Sequence, residues 1–478
     1  MSQTERQEIR PDICVIGAGT GGLAAAAAAA AFGVSVVLIE KAKMGGVGLN
    51  SGALPANALI AAAERAQALR NGARFGVKPG RGDVDIAAVR AHVHGVVAAA
   101  APAASRARCN GLGVRVIDGE GRFTDRGTVA VDGFAVKARR FVIATGSAPV
   151  RPAISGLAEV PYLTTETVFE LMEYPRHLIV IGAGSTGLEL AQAFRRLGSA
   201  VTVLEQGIAL ADDDPECAAI VLDALARDGV VLRGGVTVSA VRRVLARIEV
   251  DFTGADGKET IAGSHLLLAV GRRPNLENLN LDAAGIRYRP DGIVVDRGLR
   301  TTNRQVYAIG DVIAGPKLGH LAHHQAGLVI RHALFRIPVR SDRHAVPRVT
   351  YTDPQLAQVG ALEAAARAKA GALRILRAPY FENDRAQASG ATNGHIKIVA
   401  GRRGNILGVT IVGAAAAESI AAWTLAITQK LNIEAMAGLI VPYPSYAEVG
   451  KRAAMTYFRR GLTSPLVRRI IGWLRRFG

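Results

Sequence analysis

An α/β architecture with two Rossmann-like dinucleotide-binding units is what this 478-residue sequence predicts, on three observations. A strand, a Gly-x-Gly-x-x-Gly loop, a helix and a second strand ending in an acid occur from Asp12 and again from Leu178. In both copies the acid stands 23 residues past the first glycine, Glu40 after Gly17 and Glu205 after Gly182. The third observation is composition: Gly 54 with 5% aromatics suits a chain whose tight turns need residues that tolerate positive φ.

Taken in order, Asp12–Ile16 reads as a strand, Gly17, Gly19 and Gly22 as its loop, and 23–32 as an alanine-rich helix. Val34–Ile39 is the second strand, ending at Glu40. The glycines let backbone approach a pyrophosphate at the helix N-terminus, and the acid is placed for ribose hydroxyls. Leu178–Ile181 opens the second copy, with Gly182, Gly184 and Gly187 in its loop, a helix through Glu189 and Gln192, and a strand from Val201 to Leu204. One chain with two such units most simply binds two dinucleotides, FAD first and a nicotinamide nucleotide second. Glu205 would accept from the 2′-hydroxyl of NAD and repel the 2′-phosphate of NADP, so NADH is expected over NADPH.

The 49% hydrophobic content can supply several buried cores, and the length suits about three domains. Cys14, Cys109 and Cys217 lie far apart and match neither metal-ligand nor dithiol spacing, so no metal site is expected and a reducing, cytoplasmic setting is. Met1–Arg10 is polar and has no apolar core, unlike a signal peptide. The uncharged run Gly404–Ala417 falls short of a membrane span, and no transmembrane helix is expected. Net charge is +18, yet no zinc-finger or RNA-recognition signature accompanies it, and no nucleic-acid partner is expected.

Gly45–Asn57, Gly-Gly-Val-Gly-Leu-Asn-Ser-Gly-Ala-Leu-Pro-Ala-Asn, resembles the redox-active segment of the pyridine nucleotide-disulfide oxidoreductases, the family of dihydrolipoamide dehydrogenase, glutathione reductase and mercuric reductase. That segment reads roughly Gly-Gly-Thr-Cys-Leu-Asn-x-Gly-Cys-x-Pro-Ser-Lys. Gly48 and Ala53 stand where the two cysteines belong and Asn57 where the lysine belongs, so no thiolate is available for disulfide exchange. The resemblance continues through Phe141–Gly146, ending in Ala-Thr-Gly, and through Leu267–Asn275 at the exit from the nicotinamide domain. It includes Val306–Val312, whose Asp311 inherits the hold on the flavin ribityl chain, and Leu321-Ala322-His323, which opens a helix beside the flavin pyrimidine ring. It implies cofactor contacts at Gly46, Thr145, Gly146, Gly271, Gly310, Asp311, Ala322 and His323. The N-terminus of that helix could stabilise negative charge on a reduced flavin.

From Val346, Val-Pro-Arg-Val-Thr-Tyr-Thr-Asp-Pro resembles the start of the family's dimerisation domain, an α+β unit that pairs two subunits. Its catalytic end normally reads His-Pro-Thr-x-x-Glu; this chain has Tyr443-Pro444-Ser445-Tyr446-Ala447-Glu448, with tyrosine in place of histidine as in mercuric reductases. The family also pairs Glu189 with the lysine that is Asn57 here. The resulting organisation is 1–150 with 277–345 for FAD, 151–276 for NAD, 346–460 for dimerisation, and a basic amphipathic tail over 461–478.

In that tail, Leu466, Val467, Ile470, Ile471, Trp473, Leu474 and Phe477 fall within one helical arc. Arg468, Arg469, Arg475 and Arg476 fill the opposite arc, a composition that suits an interfacial helix on anionic lipid; packing on its own dimer is the other reading.

These expectations describe a homodimeric FAD-dependent NAD(P)H oxidoreductase without a redox disulfide, of the quinone reductase or diaphorase type. It would pass electrons from flavin directly to a small acceptor such as a quinone, with Tyr443, Glu448 and Glu189 as catalytic residues. A membrane-surface tail would place it on the cytoplasmic side of the inner membrane. Two alternatives stay open: a non-catalytic NADH- or flavin-binding sensor, and a dihydrolipoamide- or mercuric-reductase-like activity, which the absent cysteines disfavour.

Overall fold

The computed structural model describes residues 6–80, 83–342, 344–369, 371–459 and 465–477. The tail's residues 461–464 and 478, and Met1–Glu5 of the N-terminal segment, lie outside the described residues. The chain divides into two compact units, 1–182 with 193–204 and 236–342, and 183–192 with 205–235 and 343–478.

The first unit contains the first loop. Short runs of β-branched and aliphatic residues flanked by glycine make strands buried on both faces, as a parallel sheet covered by helices requires. Five such strands lie side by side in the order Val306–Ala308, Arg140–Ile143, Ile13–Ile16, Val36–Glu40, Val114–Asp118. The helix Thr20–Ala31 buries Gly21, Gly22, Ala25, Ala26 and Ala29, and these small residues let the helix Gly319–Phe335 pack against it. Beside this sheet in sequence, His177–Ile181 runs parallel between Ala200–Glu205 and His265–Leu268. The two crossings between these regions, Ser147–Pro149 and Arg272–Pro274, pair antiparallel.

Among the described residues, one helical run, 86–111, is long and apolar enough by length and composition to cross a membrane. Arg90, Arg106 and Arg108 lie within it. It is not one α-helix. Ile86–Ala100 gives way to the 3-10 turn Ala101–Ala104, which carries Pro102, and then to Arg106–Gly111. Fifteen α-helical residues rise about 22 Å, short of the ~30 Å hydrocarbon core. Val93 is buried and the helix packs on Ala53–Arg70.

In the second unit the strands alternate direction in the order Arg348–Thr350, Gln355–Gly360, Ile406–Gly413, His395–Gly401, Leu373–Pro379. The helices Ala416–Thr428 and Ala447–Met455 cover one face, and their Ile420, Trp423, Val449 and Ala453 share a core with Ile396, Ile398 and Ile411 of the sheet. This is the α+β unit expected from Val346 onward.

Candidate functional site

The first loop is shaped by contacts that only glycine permits. A Cβ on Gly22 would lie 1.8 Å from the carbonyl oxygen of Gly17, and one on Gly46 would lie 2.8 Å from the Cα of Gly19. Backbone therefore meets backbone where any side chain would intrude. Gly19 caps the helix Thr20–Ala31 in extended conformation with no side-chain hydrogen bond, and no acid occupies the first turn. The free N–H groups and the positive end of the helix dipole are left for an anion, an arrangement that fits a dinucleotide pyrophosphate.

Glu40 closes the loop. Its Oε2 accepts the Ala18 N–H at 2.5 Å and its Oε1 the Ala42 N–H at 2.8 Å. In the second copy Glu205 does the same with Ala183 and Gly207, each at 2.7 Å. Each carboxylate oxygen keeps a lone pair for a ribose hydroxyl. The second loop starts at Gly182, whose φ of +108° repeats the +101° of Gly17, and continues through Gly184 and Gly187 into the helix Ser185–Arg196.

Asp311 sits in a 3-10 turn, Gly310–Val312, that follows the strand Val306–Ala308. Its Oδ2 accepts the Ser147 hydroxyl at 2.7 Å, and the Ser147 Oγ accepts Arg272 Nε–H at 2.8 Å. Arg272 also reaches the Ser147 carbonyl at 2.7 Å and Glu166 at 2.6 Å. The carboxylate is thus aimed by a polar chain that spans both crossings. Gly310 donates its N–H to the buried Gln325 at 2.7 Å, and Ala322 lies so close that a Cβ on Gly310 would stand 2.9 Å from its own. His323 is exposed on the helix Gly319–Phe335. Thr145 and Gly146 bond Asn275: the Thr145 hydroxyl donates to its carbonyl at 2.9 Å and the Gly146 carbonyl accepts its N–H at 2.9 Å. Gly271 accepts from Val150 at 3.0 Å. Thr145, Gly146 and Gly271 therefore fasten the crossings, and sequence reading overlooked Ser147, Arg272, Glu166 and Gln325, although Arg272 lies inside the Leu267–Asn275 run.

The segment that lacks its cysteines is ordered without them. Asn50 donates to the carbonyls of Met44 and Gly46, each at 2.9 Å, and holds the short helix Gly46–Asn50. A Cβ on Gly48 would stand 3.1 Å from Thr20 Oγ1, so the position has little spare room on that side. Ala53 is exposed at the start of the helix Ala53–Arg70. Asn57 donates its amide to the Ala53 carbonyl at 2.9 Å, a bond within its own helix turn.

The second unit holds Glu189, Tyr443 and Glu448. Glu189 is 8% exposed and accepts the Tyr351 N–H at 2.7 Å. Burial pushes its carboxyl up to about 7, only partly opposed by that hydrogen bond. Among the described residues no ion pair includes it. The Tyr443 hydroxyl donates to Asp384 Oδ2 at 2.8 Å, and this bond, with the nearby charges of Asp384 and Glu448, raises the phenol above its ordinary range. Tyr443 is therefore kept protonated, its hydroxyl held by a carboxylate. Glu448 Oε2 accepts the Ser445 N–H at 3.4 Å, which ties Ser445 to the first turn of the helix Ala447–Met455. Asp384 is a functional candidate to which the sequence alone assigns no role. The degenerate positions 48, 53 and 57 belong to the first unit and the three candidate catalytic residues to the second.

Residues 11–326 match the family model described as pyridine nucleotide-disulphide oxidoreductase, and residues 346–454 match the one described as its dimerisation domain. A mercuric reductase from Lysinibacillus sphaericus is 34% identical over 451 residues, which cover 93% of this chain and 82% of that protein. A dihydrolipoyl dehydrogenase from Geobacillus stearothermophilus is 33% identical over 454 residues, covering 93% of this chain and 96% of that protein. The crystal structure of LpdA from Mycobacterium tuberculosis matches with a TM-score of 0.86 at 28% identity, covering 94% of this chain and 99% of that one.

Proposed function

The chain belongs to the pyridine nucleotide-disulphide oxidoreductase family, and from that premise we propose that it oxidises a nicotinamide nucleotide, NADH by preference, and reduces a quinone without a thiol intermediary. The family uses FAD and NAD(P)H, and its dimerisation domain supports a homodimer. Bound FAD would supply the hydride and electron chemistry. The first loop, Glu40, Gly46 and Asp311 would hold that group, and Gly184, Gly187 and Glu205 the nicotinamide nucleotide.

The observation that carries this reading is the joint loss of sulfur and charge at positions 48, 53 and 57 beside intact nucleotide loops. Cys14, Cys109 and Cys217 do not replace the lost pair. All three are buried, and burial pushes each thiol up, away from the thiolate that disulfide exchange or mercuric-ion binding needs. The chain's own contribution at the acceptor is Tyr443, whose hydroxyl would turn from Asp384 to donate its one hydrogen bond to a carbonyl oxygen as charge develops there, with Glu448 and Asp384 as the nearby carboxylates. A lipid-soluble acceptor also suits the arginine-backed helix Pro465–Leu474, which would bring the protein to the surface from which such an acceptor partitions.

The test is an anaerobic absorbance titration of the purified protein with NADH, followed by a soluble quinone. NADH is expected to bleach the flavin band and quinone to restore it within the turnover time. Tyr443→Phe should slow the restoration about tenfold, the worth of one hydrogen bond, and leave the bleaching unchanged. If NADH leaves the band intact, the electron-transfer reading falls and a nucleotide-binding sensor takes its place.

A further inference from the structure

The helix Pro465–Leu474 lies beyond the last residue that the family models match. None of its residues is buried. Leu466 is 63% exposed, Trp473 57% and Phe477 72%, and the Trp473 and Phe477 rings meet edge to face at 4.9 Å. At 100° per residue the apolar side chains fill an arc of about 160°, and Arg468, Arg469, Arg475 and Arg476 occupy the remainder. The backbone bonds Arg475 N–H to Ile471 carbonyl and Phe477 N–H to Leu474 carbonyl carry the two-faced pattern one turn past Leu474. After Glu448 the sequence contains no acid, so every charged side chain from Val449 to Gly478 is basic.

We propose that this helix docks the protein, lying flat, on an anionic bilayer surface, with its Trp473–Phe477 face in the acyl boundary and its arginines at the headgroups. Charge selects the occupant. Arginines flanking an apolar arc on both sides complement a sheet of anionic headgroups, whereas an unbroken apolar face has no counterpart in the grooves of a nucleic acid. Length sets the orientation: ten helical residues rise about 15 Å, half of the hydrocarbon core, so the helix lies in the interface and does not cross it. The inference stands apart from the identity of the electron acceptor, because it uses none of the residues placed at the catalytic or nucleotide sites.

The chain carries a convenient reporter. Of its two tryptophans, Trp423 is 3% exposed in the core of the dimerisation unit and Trp473 is on the helix, so a change in emission on docking comes from Trp473. Full-length holoprotein would be mixed with sucrose-loaded vesicles of phosphatidylcholine alone or with phosphatidylglycerol, then sedimented and read by fluorescence. The expected result is co-sedimentation with the mixed vesicles only, a blue shift of emission, and release by high salt. Arg468→Gln and Arg469→Gln should each weaken partitioning about fivefold. Ile470→Asp should abolish it, with NADH bleaching of the flavin unchanged in all three variants. Equal binding to uncharged vesicles would overturn the role given to the arginines. Anionic-vesicle binding that survives Ile470→Asp would assign the contact to another surface. No binding, with Trp473 emission already blue-shifted in solution, would place the helix against protein.

Discussion

Lys397→Met is expected to lower the stability of the dimerisation unit by about 3–5 kcal/mol at neutral pH, because it removes the cation that faces three carboxylates, among them the buried Asp214. Lys397 lies on the strand His395–Gly401 and is 5% exposed. Its Nζ is 2.8 Å from Asp214, 2.9 Å from Glu363 and 3.2 Å from Glu216. Asp214, 2% exposed, also caps the helix Pro215–Asp228 by accepting the Glu216 N–H at 3.1 Å. Without the ammonium, the buried Asp214 carboxyl would lose its cation with Glu216 and Glu363 close by. The Glu216 carboxyl is held down at about 2, first by the paired hydrogen bonds from Arg377 and then by Lys397. Its stabilising contribution is therefore present above the ordinary carboxylate value of 4.5 and is lost as pH falls from there toward 2. The gap between Lys397→Met and the parent should accordingly narrow at acid pH, where the carboxylates no longer need the cation. Urea unfolding followed across that range measures it; a difference below about 1 kcal/mol at pH 7 would show that the cluster contributes little.

Glu189→Gln should act in the opposite direction and with the opposite pH dependence. The buried carboxyl titrates at about 7 in the folded chain and at an ordinary value of 4.5 when unfolded. Between those values the folded chain holds a proton that the unfolded chain has released, so stability falls as pH rises through that window. Glutamine keeps an oxygen to accept the Tyr351 N–H and carries no titratable group. The variant should therefore match the parent near pH 4.5 and exceed it by about 3 kcal/mol above pH 8, on the order of what that shift is worth. Unfolding midpoints of the two proteins at pH 5 and pH 8.5 decide it, and parallel pH profiles would mean that Glu189 is paired or hydrated in solution.

The sequence by itself determined both nucleotide loops, the absent thiols and the two faces of the tail. Each depends on a few consecutive residues: glycines at a closure, an acid at the end of the next strand, an arc of apolar side chains at helical spacing. The bounds of the elements moved by a few residues, as when the first helix began at Thr20 within the glycine loop itself. The tertiary structure decided which polar groups meet. Ser147 reaches Asp311 across 164 residues of sequence, and Tyr443 reaches Asp384 across 59. Lys397 draws carboxylates from a helix cap and from the separate helix Glu363–Lys369. Those pairings follow from strand register and from the packing of helices on sheets, and neither leaves a local pattern in the chain. The protonation of Glu189 was decided the same way, because desolvation depends on every neighbour that excludes water.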